Sequence, residues 1–82
     1  MTDWKHKNTV LDGEKCKLNG INVWDFEWFS TGNTIIVKDP LYKQDHKMQI
    51  FEIKADNRII RFAAGEFSNG VWGFYQERNK WF

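Results

Sequence analysis

One cysteine and one proline stand in a chain of 82 residues. A lone Cys16 cannot close an intramolecular disulfide, so a disulfide-stapled secreted scaffold is excluded. The opening Met-Thr-Asp-Trp-Lys-His-Lys has no apolar stretch of the kind a signal peptide carries, and the expected compartment is the reducing cytoplasm. No apolar run approaches the ~18 residues of a membrane-spanning helix, so no membrane partner is expected. Charge of one sign is missing too. Twelve Lys and Arg stand against eleven Asp and Glu, leaving a net +1, and no chain-wide field recruits nucleic acid or anionic lipid.

The signatures of chemistry are equally scarce. Ser30 and Ser68 each lie beside a turn, without a nucleophile-elbow pattern. A glycine-rich phosphate loop, a dinucleotide fingerprint and a paired-cysteine zinc spacing are all absent. His6 and His46 are forty residues apart among lysines and polar residues, which reads as two solvated side chains in loops. Cys16, between Lys15 and Lys17, reads as a small buried or half-buried hydrophobe, because strand neighbours point to opposite faces. Asp25 and Glu27 share one outward strand face, as any alternating strand would place them. The chain therefore reads as non-enzymatic, with no cofactor and no metal.

What the sequence does have is rings. Five Trp, two Tyr and seven Phe make up 17% of the chain. A domain this small buries only ~60% of its unfolded surface, so side chains that each bury ~150–250 Å² are an efficient core. Any surplus is available for a binding surface.

Glycine and asparagine punctuate the rest. Asn19-Gly20, Asp56-Asn57 and Asn69-Gly70 fit two-residue hairpin turns, which favour residues that tolerate positive φ. Thr31-Gly32-Asn33 fits a three-residue hairpin loop, and Asp39-Pro40 stops a strand. Six runs with strand composition lie between these marks, at about 9–18, 21–30, 34–39, 47–55, 58–67 and 71–78. The expected fold is all-β, one domain over residues 1–82. It is a six-stranded antiparallel meander, forming a small barrel or a two-layer orthogonal sandwich. Its core would hold Phe26, Trp28, Ile36 or a neighbour, Phe51, Ile53, Ile60, Phe62, Trp72 and Phe74.

Register arithmetic supports one hairpin and complicates another. A turn at 56–57 sets Ile53 against Ile60, Phe51 against Phe62, and Glu52 against Arg61. A turn at 69–70 sets Phe67 against Trp72, yet Phe62 and Phe67 then lie out of phase, which predicts a bulge at Ala63-Ala64-Gly65. A second phase change predicts a bulge near Val23-Trp24. Such bends are how a small sheet turns corners.

Three functional readings remain. The leading one is a binding module that contacts another protein through its surface, since aromatics are enriched at interfaces. A single-stranded nucleic-acid-binding barrel comes second. It needs a basic track with stacking rings, whereas the lysines here interleave with Asp12, Glu14, Asp45, Glu52, Asp56 and Glu77. A small-molecule binder comes third. For the leading reading, the site should use rings that the core does not need. Tyr75 points away from Trp72 and Phe74 in a regular strand, Trp4 and Trp81 lie near the ends, and Arg58 and Arg78 could rim the patch.

Overall fold

A computed structural model describes residues 4–39 and 41–77. All of its long elements are strands, as expected: β1 Trp4–Leu11, β2 Lys17–Leu18, β3 Ile21–Asn22, β4 Phe29–Lys38, β5 Asp45–Ala55, β6 Arg58–Ser68 and β7 Val71–Glu77. A single 3₁₀ turn, Val23–Asp25, is the only helical piece among the described residues. The main sheet has five antiparallel strands in the order β1-β7-β6-β5-β4, and β2 and β3 form a small ribbon of their own. The sheet does not close into a barrel, because β1 and β4 remain as two edges.

Strands β4 to β7 are a meander, whereas β1 sits beside β7 at the far edge. The chain must therefore cross the whole sheet between β1 and β4. Residues 12–28 make that crossing over one face, here the first face. Cys16, Leu18 and Val23 of the crossing segment are buried against Ile53, Phe62 and Phe74 of the sheet, with Trp24, Phe26 and Trp28 packed around them. The rings interlock edge to face: Trp28 lies 5.0 Å from Phe62 and 5.8 Å from Phe74, and Trp24 lies 5.8 Å from Phe74. Ile21, Val23, Trp24, Phe26 and Trp28 all join this core, on both sides of the phase change expected near Val23-Trp24. The device is a 3₁₀ turn within a crossing segment, not a bulge within a strand.

The second face carries another core. Val37, Met48, Ile50, Ala63 and Tyr75 are buried there, with Trp4, Ile35 and Phe67 packed against them. This explains why Phe62 and Phe67 are out of phase. The expected bulge at 63–65 is absent, and pairing runs without a break from Ala55–Arg58 to Gln49–Ala64. Each phase of β6 serves its own core. The irregularity falls instead between Glu66 and Ser68, which leaves Phe67 outside the pairing and sets Glu66, not Phe67, opposite Trp72.

The hairpins at 19–20 and 56–57 form with positive φ at both central residues, and 69–70 forms with Gly70 alone at positive φ. Thr31-Gly32-Asn33 closes no hairpin. It is an irregularity inside β4, where the chain passes from the pair Ser30–Phe51 to the pair Thr34–Gln49. β5 has no turn to follow at that point, so the loop is absorbed as a bulge. Ile36 is 58% exposed, and its neighbours Ile35 and Val37 turn inward instead.

Candidate functional site

The loop after β4 is built around one carboxylate. Asp39 is 4% exposed and is the only buried charged side chain among the described residues. Its Oδ1 accepts the backbone N–H groups of Leu41 at 2.7 Å and Tyr42 at 2.9 Å. Its own backbone N–H donates to the Gln44 carbonyl at 2.8 Å, and Lys43 N–H donates back to the Asp39 carbonyl at 3.0 Å. An aspartate before such a turn satisfies donors that no ladder reaches. Those backbone bonds hold its carboxyl below the usual carboxylate range, with burial opposing and His46 helping.

His46 Nε2 donates to Asp39 Oδ2 at 3.4 Å while its ring lies 4.8 Å from Phe67. His6 shares a 2.7 Å hydrogen bond between Nε2 and Thr9 Oγ1 and stands edge-on to the Tyr75 ring at 5.3 Å. Neither histidine is in a loop. Both lie on strands, half-buried, on the second face. The flanking lysines that suggested solvation take the outward phase of the same strands.

Tyr75 ties this face together. It is 3% exposed, and its Oη donates to the Lys38 carbonyl at 3.3 Å. In a flat sheet β7 and β4 would stand about 14 Å apart, at three spacings of ~4.8 Å, well beyond the reach of a tyrosine. The sheet therefore curls toward its second face. Two glycines make room on that face. A Cβ on Gly65 would meet Met48 Sδ at 2.5 Å, and one on Gly73 would run into the Phe67 ring, which lies on that backbone.

At the rim of the curl, between β1, the β6–β7 turn and the Asp39 loop, lies a groove of about 610 Å³. Its lining comes from Thr9 of β1, from Phe67, Ser68 and Val71 around the β6–β7 turn, and from Asp39, Leu41, Tyr42 and Gln44 of the loop. Leu41 is 74% exposed and Tyr42 is 73% exposed. A volume of this order lies within the ~300–1,000 Å³ of ligand clefts.

The sequence-derived site residues do not assemble here as a set. Tyr75 is under the surface and Trp4 is half-buried on the same face. Trp4 starts β1, opposite Glu77. Arg58 stands at the far end, after the 56–57 turn, with its guanidinium donating to the Asn19 carbonyl at 3.4 Å. Arg78 and Trp81 lie outside the described residues. Sequence reasoning passed over Leu41 and Tyr42, although two apolar residues directly after the Asp39-Pro40 strand stop were the available signal.

Cys16 is buried on the first face, away from both histidines, and burial pushes its thiol up despite an Asn8 Nδ2 contact at 3.5 Å. It is a protonated, inert thiol at neutral pH. Among the described residues no three His, Cys, Asp or Glu side chains gather as a metal site would require. No helix of the described residues is long and apolar enough to cross a membrane. Set beside known proteins, the chain matches no family model, no curated protein and no solved structure.

The site's electrostatics set an acid limit on stability. Burial lowers the His6 pKa, with a backbone bond at Asn8 and the Asp39 charge opposing, and Asp39 is lowered as well. Both groups bind a proton less readily folded than unfolded, so the unfolded chain gains protons first as the pH falls. On the acid side, stability is full near pH 7, starts to fall below about 6.5 through His6, and falls again below about 3.9 through Asp39. Urea midpoints measured from pH 8 to 3 should show both steps, with His6→Gln losing the upper one. A midpoint that does not change between pH 7 and 5 in the wild type contradicts the His6 assignment.

Proposed function

We propose that this domain is a non-enzymatic binding module that takes an apolar segment of a partner protein into the groove beside the Asp39 loop. One observation carries the reading. A buried carboxylate holds the backbone N–H groups of Leu41 and Tyr42, and both side chains stand out in solvent at a groove. The exposure of the two side chains adds no apolar burial to the fold. A preorganised apolar pair at a groove lowers the ordering cost of binding. Thr9, Gln44 and Ser68 add hydrogen-bonding groups that can orient a peptide backbone. A reduced Cys16 accords with action in the cytoplasm.

A displayed peptide library selected on the intact protein tests this. Enriched peptides should share an apolar anchor, and Leu41→Ser with Tyr42→Ser should weaken them by about a hundredfold, a hot-spot pair's worth. Both positions are exposed, so urea stability should stay within ~0.5 kcal/mol of wild type. Failure to enrich any peptide, or binding that the double variant leaves intact, overturns the reading.

A further inference from the structure

The two edges of the main sheet are treated differently. The β1 edge carries several guards: its register shifts between His6 and Asn8, and Lys5 and Lys7 are exposed along it. At its end Leu11 N–H donates to Glu14 Oε1 at 3.0 Å, and Glu14 N–H donates to the Leu11 carbonyl at 2.9 Å. These are the devices that stop an edge from pairing with another chain.

The outer part of β4 has almost none of them. Thr34 to Lys38 pair with β5 without interruption, and the only charge is Lys38 at the end, which is held by Asp45 at 3.3 Å. Because Asp39 N–H donates inward to Gln44, the alternation of an antiparallel ladder turns Ile35 and Val37 toward β5. The N–H and C=O groups of Thr34, Ile36 and Lys38 then face away. Tyr75 takes up the Lys38 carbonyl, and among the described residues no backbone partner meets the outward groups of Thr34 and Ile36. Three β-branched residues in a row, Ile35-Ile36-Val37 after Thr34, favour a further strand here.

We propose that this edge pairs with the same edge of a second copy of the chain, antiparallel, about a two-fold axis through Ile36. The pattern is self-complementary in that register. Ile36 meets the other copy's Ile36, which covers a side chain now 58% exposed. Ile35 meets Val37 of the other copy, and the second-face cores of the two copies join into one. Lys38 meets a threonine and keeps Asp45, so no like charges face each other. Neighbouring registers are worse. An axis at Lys38 sets two lysines face to face, and an axis at Thr34 drives the irregular 31–33 segment into the pairing. An edge of five residues buries less than the ~1,200 Å² of a stable complex, so the association is a reversible, concentration-dependent equilibrium. It uses a surface separate from the groove.

Sedimentation equilibrium of the full chain over a range of concentrations is the test. The wild type should titrate between monomer and dimer, and Ile36→Lys should weaken the dimer by about tenfold or more, while Tyr42→Ser leaves it unchanged. Ile36 is exposed, so the lysine variant folds, and an unchanged circular dichroism spectrum checks this. As a second readout, the Thr34 and Ile36 amides should exchange more slowly at high protein concentration in the wild type only. A wild type that stays monomeric throughout overturns the proposal. So does a dimer that survives Ile36→Lys, or one that Tyr42→Ser removes.

Discussion

Replacing Tyr75 by serine is expected to destabilise the protein by about 3–5 kcal/mol, as large-to-small changes in a packed core do. The ring is buried among Val37, Met48, Ile50 and Ala63, and Phe67 stands edge-on to it at 6.4 Å. Serine leaves a cavity that Ala63 and Gly73 are too small to fill. Tyr75→Phe keeps the ring and loses only the bond to the Lys38 carbonyl, so it should lose about 0.5–1.5 kcal/mol. Urea denaturation of both variants separates packing from the hydroxyl. A serine variant within ~0.5 kcal/mol of wild type would place the ring at the surface.

Trp28→Ala is expected to have a loss of similar size, about 3–5 kcal/mol, for a different reason. Trp28 is the fastener of the crossing segment. Its ring touches Trp24, Phe51, Phe62, Trp72 and Phe74, at centroid distances between 5.0 and 5.9 Å. Its Nε1–H also donates to the Val23 carbonyl at 2.8 Å, so the 3₁₀ turn is held by the same side chain. Alanine removes the ring contacts and the shorter of the two hydrogen bonds to that carbonyl, leaving only the Phe26 N–H at 3.4 Å. Trp28→Phe should retain part of the packing and lose less. Equal losses in the two variants would show that the hydrogen bond, not the ring, does the fastening.

The sequence made the local pairings legible and hid the long-range ones. The β5–β6 hairpin follows from alternation and one turn, and its register is the observed one, Ile53 with Ile60 and Phe51 with Phe62. The crossing of residues 12–28 was not legible. Trp24, Phe26 and Trp28 alternate with carboxylates as a half-buried strand does, yet they lie on the sheet outside its ladder, with Trp24 and Asp25 in a 3₁₀ turn. Treating the interior as single-sided produced the phantom bulge at 63–65. Ala63 is buried on one side and Ala64 on the other, which only a sheet covered on both faces allows. The groove was invisible because Asp39 reads as a strand stop, and nothing in its spacing says that the carboxylate turns inward. Tyr75 was legible as out of phase with Phe74, but phase tells which face a ring takes, not whether that face is covered.

The pairing of β1 with β7 has a mechanical consequence. Trp4 lies opposite Glu77, so the described chain starts and finishes on neighbouring antiparallel strands at the same end of the sheet. A pull applied to the two ends loads their ladder as a zipper, one rung at a time from Trp4–Glu77 toward Leu11–Val71, and never in shear across all rungs at once. Traction on its ends would peel β1 away at low force while the β4–β7 meander, which lies outside the line of load at the start, keeps its pairing.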